Sequence, residues 1–417
     1  MDYGERLKFL VIVGDGMADY PIPKLGNHTP LQMADTPNMD YLSRNGRIGL
    51  LRTIPEGLEP SSDTANLSIL GYDPCRYQVG RGALEAASQG IPLAPADVVF
   101  RCNLVTEKNG YLEDYSAGQI STAEAFEIIK SLKRSIRGTE GIDLYRGVGY
   151  RHLLVMRGDP FADQVQCVAP HHAQGRRVNE LLPTPRSIEA ENAAAHLTKI
   201  MLDSRRILED HRINRARKKA GKKPGNMLWP WGPGKKPSLP SFEEVHGVKG
   251  SVISGVDLVK GIARLISMRV IEVPGATGYP DTNYENKAEY ALQELEKTDL
   301  TFIHVEAPDE ASHEGNCELK IRTIEDLDRR LLGKIMDGLE DRFVISVLPD
   351  HYTSLRSLKH TGDPVPFLVF ASENGNGDGY PFDEASAAKG SLGLIEGKCL
   401  IPLMLEAGKR ITLRHGI

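Results

Sequence analysis

Three short apolar runs along the chain each stop at an acidic residue. Residues 7–13 lead into Gly14-Asp15-Gly16, residues 302–305 into Glu306-Ala307-Pro308-Asp309, and Phe343–Leu348 into Pro349-Asp350-His351. Unbroken β-branched runs of this length predict strands buried on both faces, as in a parallel sheet. Elsewhere the period changes to that of helices. Helices are expected at 36–46, from Ser62 onward, at 258–268 and at 283–296, with further strands at 47–53, 252–253, 270–273 and 367–370. Strand and helix in alternation predict an α/β domain with a central, mostly parallel sheet.

A second texture begins near Val98. Strands at 98–105 and 153–156 surround a helical segment, 122–137, whose Phe126, Ile129, Leu132 and Ile136 share one face. Residues 91–179 are therefore expected to form a small α+β domain inserted into a larger one built from 1–90 and 180–417. Residues 189–209 read as an amphipathic helix that returns the chain to the larger domain. The basic stretch Arg215-Ala216-Arg217-Lys218-Lys219 and its continuation read as a solvated connector, and 226–231 as a strand.

Ligands gather at the carboxyl ends of parallel strands. His313 lies four residues beyond Asp309, and His360 nine residues beyond His351. Asp15, Asp309, His313, Asp350, His351 and His360 are thus expected to meet. A single Asp after a strand is ordinarily a cap or turn residue. Packing gives no reason for a carboxylate after each of three strands, with imidazoles beside two of them. Three carboxylates and three imidazoles suit a pair of divalent ions, manganese or zinc with magnesium as a further option, better than calcium or an iron–sulfur cluster.

Composition narrows the partners. Among 417 residues, Lys and Arg number 51 against 56 Asp and Glu, a formal charge of −5. That balance argues against nucleic acid as a main partner. No apolar run approaches the roughly 20 residues of a membrane span, and the first residues lack the pattern of a signal peptide. Cys75, Cys102, Cys167, Cys317 and Cys399 are scattered without a CxxC spacing and read as reduced thiols, so a cytoplasmic protein is expected. Monomer and homodimer stay equally open.

Two metals need a task, and Pro60-Ser61-Ser62-Asp63-Thr64 supplies a candidate nucleophile. Ser62 opens a helix, where first-turn N–H groups and the helix dipole face an anion. A divalent ion favours the alkoxide of a serine that is otherwise a poor nucleophile. The combination points to phosphoryl transfer through a phosphoserine. No Gly-x-x-x-x-Gly-Lys-[Ser/Thr] segment is present to cradle a nucleotide instead.

Gly14-Asp15-Gly16-Met17, the segment from Ser62 to Pro74, Gly80-Arg81-Gly82-Ala83-Leu84-Glu85-Ala86, Asp309 to His313, Asp350-His351 and His360 to Pro366 together resemble the archaeal-type cofactor-independent phosphoglycerate mutases of the alkaline phosphatase superfamily. The resemblance runs over nearly the whole chain. It implies an alkaline-phosphatase-like α/β sandwich carrying the metals, with a smaller domain inserted over the active site. It further implies that Asp15, Ser62, Asp350 and His351 bind one ion, that Asp309, His313 and His360 bind the other, and that Ser62 is phosphorylated. Such an enzyme interconverts 3- and 2-phosphoglycerate, a small phosphorylated metabolite, without 2,3-bisphosphoglycerate.

That reaction needs anion clamps, for which arginine is suited. Arg81, Arg101 and Arg151 are candidates, with His152 beside the last and Asp63 beside the nucleophile. Lys260 falls where these mutases carry a lysine after a strand. Three positions depart from the family pattern. Asn66 replaces a histidine, Trp229-Pro230-Trp231-Gly232 replaces a basic glycine-rich segment, and Asp309-Glu310-Ala311-Ser312-His313-Glu314 replaces Asp-Ala-Ala-Gly-His-Asp. These resemble a bacterial branch of homoserine-kinase-like enzymes, which makes phosphorylation of homoserine the alternative activity.

Overall fold

A computed structural model describes residues 7–77, 80–135, 141–339, 342–372 and 377–414, without the side chains of 81, 134–135 and 411–414. The chain divides into two units, Met1–Gln78 with Leu239–Ile417, and Val79–Ser238.

The first unit is built on an eight-stranded sheet. Across it run Arg269–Ile271, Gly250–Ile253, Leu300–Val305, Lys8–Gly14, Phe343–Leu348, Val365–Ala371, Arg47–Arg52 and Gly393–Glu396. The strands expected to bear ligands are the adjacent central three, Leu300–Val305, Lys8–Gly14 and Phe343–Leu348, and they pair in parallel. Only Val365–Ala371 runs antiparallel to its neighbours among the described residues. Every residue of Lys8–Gly14 and of Leu300–Val305 is buried. Such burial on both faces is what an unbroken apolar run requires. On one face Leu10, Ile12, Ile303, Val305, Ile345 and Val347 pack against Tyr284, Ala288, Ala291 and Leu295 from helix Tyr284–Leu295 and against Leu327 and Leu331. On the other face helix Asp257–Leu265 packs on Gly250–Ile253, and helix Leu400–Arg414 on Phe343–Leu348. The α/β class expected from the sequence is the one observed.

Register sets the level at which each strand ends. Gly14 lies opposite Val305, and Val13 opposite Leu348. The three strands therefore release Asp15, Glu306 and Pro349-Asp350 at nearly one level.

The second unit holds a five-stranded antiparallel sheet. Val98–Lys108 pairs with Arg151–Met156, with Met227–Lys235 and, near its end, with Tyr111–Asp114, and Ile142–Tyr145 extends the sheet beyond Arg151–Met156. Alternate residues Val98, Phe100, Cys102 and Leu104 join Ala125, Ile128, Ile129 and Leu132 of helix Thr122–Ser135 in one core. Ile136 lies outside the described residues.

The expected boundaries, 91 and 179, differ from those observed at 78/79 and 238/239. Helix Glu191–Leu208 does not return the chain to the larger domain. Its Leu197, Ile200 and Leu208 enter the core of the second unit, and its Ser204 accepts a hydrogen bond from Leu228 N (2.9 Å). An amphipathic pattern specifies that a face is buried but not which core buries it. The basic stretch is likewise no solvated connector. It forms helix Arg212–Lys219, in which Arg217 is 3% exposed. The Arg217 guanidinium donates to Glu124 Oε2 (2.7 Å), Ala117 O (2.8 Å) and Lys223 O (2.8 Å).

Replacing Arg217 with Met removes those three bonds and leaves buried acceptors without donors. The expected loss is about 3 kcal/mol of stability. Chemical denaturation of the purified variant checks it, and an unchanged midpoint would show that Arg217 is ornamental.

Candidate active site

The acidic turn after Lys8–Gly14 is held by its backbone. Asp15 N donates to Val305 O (2.9 Å), which extends the strand ladder by one residue. Gly16 N donates to Asp350 Oδ1 (3.1 Å). Gly16 has φ 61°, and a Cβ there would stand 2.5 Å from both Asp309 Oδ1 and Thr353 Oγ1. Glycine is required for both reasons. After Leu300–Val305 a helix begins at once, Ala307–His313, and its geometry sets Asp309 and His313 one turn apart on one face. His360 arrives by a hairpin in which Tyr352–Ser354 pairs with Lys359–Thr361 and Thr353 faces His360. The nine-residue gap between His351 and His360 is that hairpin.

The six expected residues converge into two groups. Asp309, His313 and His360 form one, and Asp15, Asp350 and His351 the other, with candidate ligand atoms in each group within 4.8 Å of one another. In the first, Asp309 Oδ2 lies 3.2 Å from His313 Nε2, Asp309 Oδ1 lies 3.4 Å from His360 Nε2, and the two Nε2 atoms are 2.9 Å apart. In the second, His351 Nε2 lies 3.5 Å from both Asp15 Oδ1 and Asp350 Oδ2. Rings bind the groups together, since His351 stacks on His360 with centroids 3.8 Å apart. Ser62, first residue of helix Ser62–Ile69, places its Oγ 3.1 Å from His351 Nε2.

Hydrogen bonds fix which ring nitrogen faces inward. His313 Nδ1 lies 3.1 Å from the carbonyl of Leu358, which can only accept, so in the neutral ring Nε2 carries the lone pair. Thr353 donates its hydroxyl proton to Asp309 Oδ1 (2.5 Å), so its oxygen accepts from His351 Nδ1 at 3.1 Å. His351 Nε2 is thereby turned as an acceptor toward Ser62. Two imidazole lone pairs aimed at carboxylates, and the unpartnered oxygens of Asp15, are arrangements that a cation satisfies.

Electrostatics separate the carboxylates. Burial lifts Asp15 well above the usual carboxylate range, and Asp350, Glu306 and Asp309 add like charge. Burial also opposes ionisation of Asp309, but hydrogen bonds with His313 and His360 and the nearby His351 outweigh it and hold its carboxyl well below that range. The hydrogen bond to Asp309 raises His313, whereas burial lowers His351.

Four supporting residues are absent from the expected set. Asn66 Nδ2 donates to both Ser62 O (2.8 Å) and Asp350 Oδ2 (3.0 Å), linking the serine to the carboxylate. Thr353 links Asp309 to His351. His304 and Glu306 stand beside Asp15. Glu306 sits within the acidic segment that ends its strand and Asn66 within the segment that carries Ser62, but Thr353 and His304 carry no local sequence signal.

Comparison with known proteins bears on this arrangement. Residues 43–214 match the model of the 2,3-bisphosphoglycerate-independent phosphoglycerate mutases. The mutase of that name from Methanosarcina barkeri is 47% identical over 405 residues, which cover 96% of this chain and 100% of the relative. A probable mutase of the same kind from Geobacter sulfurreducens is 47% identical over 407 residues, with 96% and 100% covered. Among solved structures, the cofactor-independent phosphoglycerate mutase of Thermoplasma acidophilum superposes with a TM-score of 0.74 at 32% identity, covering 96% of this chain and 100% of its own. A protein of Pyrococcus horikoshii gives 0.83 at 32% identity, with 97% and 98% covered. The chain belongs to the 2,3-bisphosphoglycerate-independent phosphoglycerate mutase family.

Membership in the mutase family agrees with the α/β architecture described above. The homoserine kinase alternative finds no support among these relatives. No helix among the described residues is long and apolar enough to cross a membrane.

The remaining candidates lie as follows. Asp63 is half-buried in the first turn of the Ser62 helix. Lys260 Nζ is paired with Glu272 Oε2 (2.6 Å), and no described contact joins it to Ser62. In the second unit Arg101 pairs with Glu85 (2.9 Å) and lies over the Trp231 ring (4.4 Å). Arg151 is exposed and lies 5.2 Å from the Tyr150 ring centroid. His152 is 2% exposed, burial takes its pKa down to about 3, and its Nδ1 accepts from Gly147 N (3.1 Å). A histidine so buried stays neutral and is no anion clamp through charge. The side chain of Arg81 lies outside the described residues.

Asn66→Ala cuts the link between Ser62 and Asp350 without touching either. Mutase turnover is expected to fall about 10–100-fold, the usual cost of losing a residue that orients a ligating carboxylate. Steady-state kinetics beside a circular dichroism spectrum check this, and full activity would show that the link is dispensable.

Proposed function

We propose that this chain interconverts 3-phosphoglycerate and 2-phosphoglycerate through a phosphoserine on Ser62, with two divalent ions bound. Asp15, Ser62, Asp350 and His351 would hold one ion, and Asp309, His313 and His360 the other. The observation that carries the reading is Ser62 Oγ at 3.1 Å from His351 Nε2, inside a set of three carboxylates and three imidazoles. Manganese or zinc suits these mixed oxygen and nitrogen donors, and magnesium suits the carboxylate-rich half.

Bound ions supply Lewis acidity, lowering the pKa of the serine hydroxyl and neutralising phosphoryl oxygens. The chain supplies the rest. Ser62 Oγ forms a bond to phosphorus as the bond from phosphorus to the C3 oxygen of the substrate breaks, and that oxygen takes up a proton to leave glycerate. The reverse step delivers the group to the C2 oxygen. No external phosphoryl donor is consumed, which accounts for independence of 2,3-bisphosphoglycerate. The capping residue Ser61 places no side-chain oxygen on the first-turn N–H groups of the Ser62 helix, so these are available to the phosphoryl group. Asn66 holds Ser62 and Asp350 in fixed relation while the group is transferred. A glycolytic reaction also fits the cytoplasmic location expected from the sequence.

Two substitutions test the reading. Ser62→Ala is expected to abolish conversion of 3-phosphoglycerate and to remove any phosphorylated protein seen by mass spectrometry after brief exposure to substrate. Retained turnover would sink the phosphoserine route. His360→Ala is expected to lose one bound ion per chain by elemental analysis and to reduce kcat by orders of magnitude. Two ions with unchanged kcat would remove His360 from the site.

A further inference from the structure

Lys320 is a fully buried residue that the proposed reaction does not use. It sits on helix Cys317–Asp326, which follows the ligand-bearing helix Ala307–His313 across a turn at Gly315 (φ 69°). Burying an ammonium is costly unless each of its protons finds an acceptor. Here Nζ donates to Ala18 O (3.3 Å), Asp19 Oδ2 (3.0 Å) and Thr353 O (2.8 Å). Three donors thus meet three acceptors, and Asp19, itself 2% exposed, supplies the counter-charge.

A plain ion pair would need only Asp19. The two carbonyls belong to separate segments of the site. Ala18 follows the turn that carries Asp15 and Gly16, and Thr353 lies in the hairpin that runs from His351 to His360. Around the ammonium the same segments are joined twice more, by Thr353 N donating to Ala18 O (3.2 Å) and Leu355 N to Asp19 Oδ2 (3.0 Å). Turn, hairpin and the helix that continues from Asp309 and His313 are therefore tied at one point.

We infer that Lys320 is a positioning residue for the transfer and acts through Thr353. Lys320 holds the Thr353 carbonyl, while the Thr353 hydroxyl donates to Asp309 Oδ1 (2.5 Å) and accepts from His351 Nδ1 (3.1 Å). One threonine thus touches a member of each principal group, and it faces His360 across the hairpin. A slip of its backbone would release His351 Nδ1, turn Nε2 from Ser62 and carry His360 away from Asp309. A methionine could fill the space of Lys320, but it has no donor with which to draw two carbonyls together. This role rests on the two-ion reading of the site given above.

The test uses the full chain loaded with manganese, as wild type, Lys320→Met, Thr353→Val and the double variant. At a temperature where circular dichroism shows it folded, Lys320→Met is expected to lower kcat about 10-fold or more with KM little changed. It should also bind manganese more weakly when metal is titrated into the stripped protein, and alter the spin coupling between bound ions in electron paramagnetic resonance. Added to Thr353→Val, it should lower kcat by no more than about 2-fold further, since both changes cut one link. A purely structural ion pair would move only the denaturation midpoint. Wild-type kcat and coupling in folded Lys320→Met, or effects that multiply in the double variant, would overturn the role and leave the two-ion reading standing. A wild type that binds no pair of ions would overturn both. Should Lys320→Met fail to fold, a crystal structure of the manganese-loaded wild type decides. The Thr353 hydroxyl is expected between Asp309 and His351 with Lys320 on both carbonyls, and an ammonium bonded to Asp19 alone would overturn the role.

Discussion

Four carboxylates, those of Asp15, Glu306, Asp309 and Asp350, are brought together in a largely water-excluded place. Left alone they would repel one another and resist ionisation; burial first, and like charge beside it, drive Asp15 and Glu306 upward, the latter to about 7. Everything around the site is arranged to make this placement tolerable. Asp350 is met by two backbone N–H groups, from Gly16 (3.1 Å) and His351 (2.9 Å), and by the amide of Asn66 (3.0 Å). Asp309 is met by Thr353 and two imidazoles. Asp15 has no backbone or hydroxyl donor among the described residues; its carboxyl meets Glu306 and His304 Nε2, the latter at 3.2 Å, and a cation would relieve this crowding.

The parallel sheet makes this crowding possible. Three adjacent strands fixed in register end at one level, so residues separated by hundreds of positions emerge side by side without long loops. The interior pays nothing extra for this, because the strands would be buried on both faces in any case. Gly16 completes the arrangement, since its left-handed backbone and missing Cβ let the first turn approach Asp309. Rigid strand ends and a helix starting immediately after one of them hold donor atoms more tightly than loops would.

What could be read from the sequence obeys the same physics. Asp15, Asp350 and Asp309 terminate apolar runs, and His313 and His351 sit at fixed short offsets from them, so strand periodicity alone exposes them. His304 was hidden because it lies inside such a run, where a polar residue looks like an interruption of a strand rather than a member of its end. Thr353 and Asn66 act across sequence separations of 44 and 284 residues, to Asp309 and Asp350, and nothing local announces a hydrogen bond of that range. The unit boundary failed for a related reason. Helix Glu191–Leu208 has an apolar face that could have closed either core. Arg217 was lost in its own charge run, where one buried guanidinium looks like its solvated neighbours.

The two principal groups differ in access, and the difference fits a division of labour. Asp15, Asp350 and His351 are fully buried, whereas the side chains of His313 and His360 are 39% and 21% exposed. An ion among the first three would be sealed against water on the protein side and would see only Ser62 and whatever Ser62 carries. Asp309, His313 and His360 would hold their ion nearer to solvent, where it would supply charge neutralisation to a phosphoryl group. A nucleophile must keep one geometry through both halves of a transfer, while glycerate must turn between them. Under the proposed phosphoserine route, burial at the Ser62 end would suit the atom that stays and exposure at the His313 end the molecule that moves.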